Sequence, residues 1–220
     1  MSHPGSDLLL SLATGRADLP HRVMLEAHLA GCAECRGALA EVSAPGGALL
    51  RGLAAEAAPD RLWQQLLGRL DERPQGPLPG NAPAPASPLA GLPLPAAALS
   101  EITELAGVRP LRWRWGFARG ARLALLARDP FTRSVLLVGY SPPRRTFPRH
   151  LHVGPEDIVV LTGGYEDHLG HYEAGQYVAY EPGSEHQTVV EPGDTCWTLT
   201  RLEQPNRFLG WRGWLQRLRS

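Results

Sequence analysis

The stretch His28-Leu29-Ala30-Gly31-Cys32-Ala33-Glu34-Cys35 places one imidazole and two thiols within eight residues of a chain that has 3 cysteines in all. Just upstream, Val23, Met24, Leu25 and Leu29 recur at helical spacing, so His28 closes a helix and Gly31 is read as its stop. Cys32 and Cys35 then flank the turn into the next helix, and the three donors face one point. Tetrahedral zinc takes thiolates and imidazoles at such a bend without straining either helix. The competing reading, two buried cysteines beside an unrelated histidine, asks nothing of the spacing. The fourth ligand stays open at this level. His3 is the nearest free histidine upstream, because His21 lies mid-helix and off the His28 face.

Working outward, Ser6 or Asp7 is expected to cap a short helix carrying Leu8, Leu9, Leu10 and Leu12 that ends near Thr14-Gly15. A second helix starts after Pro20. A third runs from Cys35 through Leu39 and Val42 to a break at Pro45-Gly46-Gly47, and Pro59-Asp60 opens a fourth with Leu62, Trp63, Leu66, Leu67 and Leu70 at helical spacing. Four short helices bury little surface alone, so a structural zinc, worth on the order of 10 kcal/mol to such units, is the staple they need. Their surplus of leucine also suits a surface that covers a partner.

His3, His28, Cys32 and Cys35, spaced His-x24-His-x3-Cys-x2-Cys, resemble the zinc-binding anti-sigma domain of bacterial regulators that sequester extracytoplasmic-function sigma factors. The resemblance covers residues 1–72. It implies a small four-helix bundle that occludes the polymerase-binding surfaces of the sigma factor, with His3 as the fourth zinc ligand.

The balance of 22 basic and 22 acidic residues gives no net charge, and the basic residues cluster only near the C-terminus, so direct nucleic-acid binding is not expected. With two thiols in the knuckle, Cys196 has no partner, which argues against disulfides and for a reducing compartment. No leader-like start and no membrane-length apolar run is present, so the expected location is cytoplasmic. From 73 to 96, eight prolines among Gly, Ala and Leu make a semi-stiff linker that would let two domains move relative to each other.

Beyond the linker the hydrophobic period changes. Leu111, Trp113, Trp115 and Phe117 alternate with other residues, and short strands follow at Leu123–Ala127, Ser134–Tyr140, Asp157–Thr162, Gln176–Tyr180 and Cys196–Leu202. Many short strands separated by Gly and Pro argue for a closed sandwich or barrel over 97–205, with the tryptophans filling it. The chain is thus expected to be a two-domain α+β protein. A tail over 206–220, basic and amphipathic, is expected to pack across the barrel mouth or a neighbouring subunit rather than lie on a membrane.

Inside the β half lies His150-Leu-His152-Val-Gly-Pro-Glu156, followed by Gly163 and later by Pro182-Gly183-Ser184-Glu185-His186. Residues i and i+2 of a strand share a face, so His150 and His152 reach one ion together, with Glu156 beyond the turn and His186 from an adjacent strand. Three imidazoles and a carboxylate suit Zn, Mn, Fe or Ni without choosing among them. His168 and His171, in a Gly-rich hairpin, are read as loop residues, and Cys196 as a buried thiol. The residues also resemble the two cupin motifs, His-x-His-x3-Glu-x6-Gly and Pro-Gly-x2-His.

A zinc anti-sigma domain followed by a cupin resembles the ChrR-type anti-sigma factors. That resemblance implies a regulator and not an enzyme: the helical domain holds the sigma factor, and the cupin domain releases it under singlet oxygen or a related oxidant. The cupin metal is then zinc or another divalent ion. Because zinc is redox-inert, a zinc-filled cupin would leave His150, His152, His186 or Cys196 as the oxidised groups. The alternative is a metal-dependent cupin dioxygenase or isomerase with a helical regulatory arm. Which sigma factor is held and the oligomeric state are left open.

Overall fold

The computed structural model describes residues 2–54, 57, 59–71, 89–106, 110–115 and 118–210. Most of the expected linker, Phe117 and residues 211–220 of the expected tail fall outside them. An N-terminal helical region precedes a β domain.

Helix α1 (Ser6–Ala13) is capped by Gly5 rather than by Ser6 or Asp7: the Gly5 carbonyl accepts from the Leu8 and Leu9 amides, and no side chain caps the turn. Helix α2 (Leu19–Gly31) starts at Leu19, with the Asp18 carboxylate accepting from the His21 amide at 2.9 Å and Pro20 in the first turn, where its missing N–H costs nothing. Gly31 stays helical. The stop falls on Cys32, whose extended backbone ends α2 and caps α3 (Ala33–Gly52), its Sγ accepting from the Cys35 amide at 3.4 Å. The break expected at Pro45-Gly46-Gly47 does not occur, and α3 runs through Pro45. Glu41 and Pro45 are exposed, so water can replace the one backbone bond that the proline removes. Helix α4 (Asp60–Asp71) presents Leu62, Trp63, Leu66 and Leu67 to solvent. Helix α5 (Ala96–Glu101), continued by a π-helical turn over Ile102–Ala106, packs on α2.

Six strands form one antiparallel sheet in the order β1 (Arg114–Trp115), β2 (Arg122–Arg128), β3 (Val135–Ser141), β11 (Cys196–Leu202), β5 (Glu156–Thr162) and β8 (Tyr177–Tyr180). Two three-stranded sheets complete the domain: β10 (Val189–Val190), β6 (Gly164–Asp167) and β7 (Gly170–Glu173), and β12 (Arg207–Phe208), β4 (His150–Leu151) and β9 (Glu185–His186). Alternation along the large sheet sorts its side chains. Leu136, Val138, Val159 and Leu199 join the buried cluster of α1, α2 and α5. Leu137, Gly139, Glu156, Ile158, Thr198 and Thr200 face an interior cavity instead. Neither Trp113 nor Trp197 fills that interior. Trp113 is exposed, and Trp197 packs edge-on against Trp113 and Tyr140 while leaning on the helix-side core. The strand expected over Leu111–Phe117 shrinks to Arg114–Trp115 among the described residues.

Helices and sheet share one core. Val23, Met24 and Leu25 of α2 are fully buried in the same cluster as Leu136 and Leu199. Beside it lies a polar junction. Arg201 of β11 donates to Asp18 at 2.9 Å and faces Asp157 at 3.5 Å, while His21 bridges Asp18 and Asp157. Ser134 also donates to Asp18, and Asp129 accepts from the Leu19 amide. Independent movement of helices and sheet would have to break these contacts. No helix among the described residues is long and apolar enough to cross a membrane.

Candidate metal centres

The fold brings together the four residues singled out near the N-terminus. The ligand atoms of His3, His28, Cys32 and Cys35 lie within 4.8 Å of one another. Each comes from a different local constraint: His3 from the segment ahead of α1, His28 from the last turn of α2, Cys32 from the shared cap and Cys35 from the first turn of α3. His3 Nδ1 stands 3.5 Å from Cys32 Sγ and 3.3 Å from Cys35 Sγ. The ring of His28 is fully buried, and its Nδ1 sits 2.7 Å from the carbonyl of Gly175 in the β domain. A carbonyl only accepts, so Nδ1 carries the proton and Nε2 keeps its lone pair. That Nε2 is buried with no partner among the described residues. Burial, with a smaller push from His3, holds His28 below the usual histidine range, and burial with the neighbouring Cys32 raises the Cys35 thiol to about 11. A neutral imidazole with an orphaned nitrogen is ready to bind a cation, and a cation there would favour the thiolate that burial denies Cys35.

The second set also converges. The ligand atoms of His150, His152, Glu156 and His186 lie within 4.8 Å of one another, and all four residues are buried. Pairing of β4 with β9 sets His150 opposite His186, and Glu156 opens β5 in the large sheet, so the cluster sits between sheets. His152 lies one residue past the end of β4, yet its ring centroid is 5.0 Å from that of His150.

Every imidazole has its Nδ1 anchored. His150 donates to the Pro148 carbonyl at 2.9 Å, and His186 to Asp167 at 2.8 Å. His152 Nδ1 meets Ser184 Oγ at 2.8 Å, and since that hydroxyl spends its proton on the Glu181 carbonyl, the histidine is the donor. Three Nε2 lone pairs therefore point inward, two of them 3.0 Å apart on His150 and His186, and the third, on His152, has no hydrogen-bond partner. Lone pairs facing at that distance repel unless a cation lies between them. Anchored imidazoles of this kind are what metal sites use to hold ligand rings in one tautomer.

The electrostatics agree. Burial, then the neighbouring imidazoles, lowers His150 and His152 to about 4, and burial raises the Glu156 carboxyl to about 7 despite the Asn206 amide that donates to it. Asp167 behaves oppositely. Burial pushes its pKa up, but bonds from His186, the Leu169 amide and Tyr180 win and bring it below the usual carboxylate range.

Two participants had no local signal in the sequence: Asp167, from the hairpin otherwise read as a loop, and Asn206, which orients Glu156. Tyr180, which stands out near the motifs as a titratable group, meets the His186 ring edge-on at 4.2 Å and donates to Asp167, and Ser184, inside the second motif, orients His152. His171 points away, paired with Glu191 at 2.6 Å, and His168 is exposed in the β6–β7 turn. Cys196 is buried and lines the cavity beside the cluster, its thiol pushed by burial to about 12. Glu185, the other carboxylate near the motif, pairs with Arg149.

Residues 104–206 match the family described as the ChrR cupin-like domain. Over 208 residues the chain is 27% identical to the anti-sigma-E factor ChrR of Cereibacter sphaeroides, a match that spans 94% of this chain and 91% of that protein. It also resembles a chain in the crystal structure of Rhodobacter sphaeroides SigE in complex with the anti-sigma ChrR, at 24% identity and a TM-score of 0.64, over 92% of this chain and 98% of the other. The common fold therefore spans both helical and β regions.

Proposed function

We propose that this chain, one of the ChrR-type anti-sigma factors, holds an extracytoplasmic-function sigma factor through its zinc-bound helical region and releases it when the cupin-like β domain senses an oxidant. The observation that carries this reading is the likeness to an anti-sigma factor over 94% of the chain, with two four-ligand clusters falling one in each region. Such a regulator acts on a cytoplasmic partner and needs no catalytic turnover.

Zinc is the ion that His3, His28, Cys32 and Cys35 suit best, because two thiolates and two imidazoles match its tetrahedral preference. His150, His152, Glu156 and His186 would hold zinc or another divalent ion in a cupin barrel. The sigma factor would cover apolar side chains that this chain leaves in water, Leu49, Leu50 and Leu53 at the end of α3 and Leu62, Trp63 and Leu66 on α4. Cys196 is a poor first target for an oxidant, since a thiol held near 12 has almost no thiolate at neutral pH. The ligand imidazoles are the better candidates.

Release would travel through the shared core. Glu156 and Asp157 are neighbours on β5, the first in the metal cluster and the second in the junction with Asp18, His21 and Arg201. The test is a reconstituted complex of the full chain with its sigma factor. His150→Ala and Glu156→Ala should bind the sigma factor as the parent does and fail to release it on exposure to singlet oxygen. Normal release by both variants would refute the sensing role, and sigma binding that survives Cys32→Ala would refute the zinc-dependent grip.

A further inference from the structure

We infer that the β domain completes the N-terminal metal site: the turn between β7 and β8, through the Gly175 carbonyl and Tyr177, orients the histidine ligands of a zinc ion that the helical segments carry. This rests on the reading of His3, His28, Cys32 and Cys35 as zinc ligands and adds positioning residues to it.

Three contacts converge from that one turn. The Gly175 carbonyl accepts from His28 Nδ1 at 2.7 Å, and the Tyr177 amide donates at 3.1 Å to the carbonyl of Ser2, the residue before His3. The buried Tyr177 ring meets the His28 ring edge-on at a centroid distance of 6.2 Å, and His28 in turn meets His3 edge-on at 5.7 Å. Both imidazoles are thus braced from a segment that begins 147 residues beyond His28. The thiols are not: Cys32 and Cys35 are fixed by their own turn, where the Cys35 amide donates to Cys32 Sγ.

A ligating imidazole is held by whatever its second nitrogen bonds, which fixes the tautomer and the rotation of the ring. The two histidines use opposite nitrogens. His3 turns Nδ1 to the sulfurs and leaves Nε2 3.4 Å from the exposed Glu34, a kind of pair that contributes little in water. His28 spends Nδ1 on Gly175 and keeps Nε2 orphaned in the interior. A histidine that merely filled the core would bond both nitrogens.

The turn is built to keep that carbonyl still. The Gly175 amide donates to the Val160 carbonyl of β5 at 2.8 Å, the Val160 amide donates to the Gln176 carbonyl at 3.1 Å, and the Gln176 side chain accepts from the Glu173 amide at 2.7 Å. Gly175 itself sits at φ 89°, which glycine adopts without strain, and open space lies where a Cβ would stand. The aim of the carbonyl is therefore set by backbone conformation and by the large sheet. A β domain that shifts off the helices takes this anchor with it, so the grip on zinc falls with all four ligands still in place.

Cobalt(II) tests this on the full chain, because its thiolate charge-transfer absorption reports the site of Cys32 and Cys35 apart from the β-domain cluster. Gly175→Val forces a branched side chain into the left-handed region and should swing the carbonyl off His28, lowering cobalt affinity at the thiolate site about 10–100-fold. Gly175→Asn, a residue that tolerates that region, should stay near the parent. Both variants should still hold metal at His150, His152, Glu156 and His186. In the nitrogen-labelled parent loaded with an NMR-active cadmium isotope, the coupling to cadmium should fall on His28 Nε2 and the proton on Nδ1. Parent affinity in Gly175→Val, equal loss in both variants, equal loss at the β-domain cluster, or cadmium on His28 Nδ1 would each overturn the inference. A parent chain with no thiolate absorption would instead bring down the underlying zinc reading.

Discussion

The two ligand clusters differ in what surrounds them, and so in what an ion at each would do. His3 lies ahead of α1, and Cys32 and Cys35 sit at the start of α3, helices whose outer faces are mostly solvent; His3 is itself a quarter exposed on its side chain, 25%, beside the 80% exposed Glu34. The cluster of His150, His152, Glu156 and His186 is enclosed by three sheets, braced by Asp167, Ser184 and the Pro148 carbonyl, with Phe147 and Phe208 packed on His150. In the first set only His28 is braced by the β domain, through the Gly175 carbonyl, so its ion would supply stability to the helical segments that carry the other three. The second set is held in place by its own fold, so its ion is free to serve as a chemical reporter.

Removing the ion from each cluster in turn should break that symmetry most visibly. Cys32→Ser should cost the helical region the largest share of its stability, up to the order of 10 kcal/mol that a structural zinc contributes in small modules. Hydrogen exchange should show lost protection in α1 and α3, with the strands unaffected. His150→Ala should leave protection intact everywhere. Helix α2 is the informative segment, since Val23, Met24 and Leu25 are buried in the core it shares with the sheet. If α2 stays protected in Cys32→Ser, that core holds it; if α2 opens with α1 and α3, the ion does.

The junction between the regions comes next in size. Arg201 faces Asp18, Asp157 and Glu203 with its side chain 4% exposed. Arg201→Leu leaves two buried carboxylates with His21 as their one remaining cationic partner and should cost about 3 kcal/mol in urea denaturation, the low end for removing one partner from a buried pair. Adding Asp18→Leu should recover part of that loss, because stranded charge and not lost attraction is the main penalty. No recovery would mean that Asp18 also serves α2 as its cap, through the bond to the His21 amide.

A smaller effect separates the clusters by their supports. Asp167→Asn removes the charge that anchors His186 and should lower metal affinity about 10–100-fold at the His150, His152, Glu156 and His186 cluster, with no change at His3, His28, Cys32 and Cys35. Competition with a chelator, read separately for the two ions, measures it. Equal weakening at both clusters would show that they communicate through the shared core.

How much of this was legible in the chain follows from distance along it. Cys32 and Cys35 share a turn and His150 and His152 alternate on one segment, so local periodicity places each pair. His28 and the cysteines were equally readable because two helices meet between them. Their supports were not. Asp167 lies 19 residues from the His186 it anchors, in a stretch that reads only as a glycine-rich loop. The Asp18–Arg201 pair spans 183 residues, and nothing near either residue marks it. Trp197 misled for another reason: alternation shows that a strand has two faces, not which one meets the helices. Trp197 took the helix side, opposite the cavity face of Thr198. At Pro45, propensity yielded to solvent, which could replace the missing bond.

The smallest expected effect is a pH dependence carried by the junction. His21 stands between two carboxylates, with Nδ1 3.0 Å from Asp18 and Nε2 3.2 Å from Asp157. Burial and the Arg201 charge oppose its proton, but the bonds from Asp157 and Asp18 outweigh them and raise its pKa. A raised histidine stabilises the fold fully below its unfolded pKa of about 6.5, and that contribution disappears as pH climbs through the folded value. Asp18 carries the opposite sign. Burial pulls its pKa upward, but bonds from His21 and Arg201 bring it well below the ordinary value, so its contribution is present above about pH 3.9 and lost as pH falls further. The two limbs leave the junction most stable between about pH 4 and pH 6.5. Thermal unfolding of the parent and of His21→Gln should therefore converge as pH rises from about 6 to 8.5, because glutamine keeps a hydrogen-bonding side chain without the proton. Parallel curves over that range would mean that His21 is neutral in the folded junction, with Arg201 alone offsetting the two carboxylates.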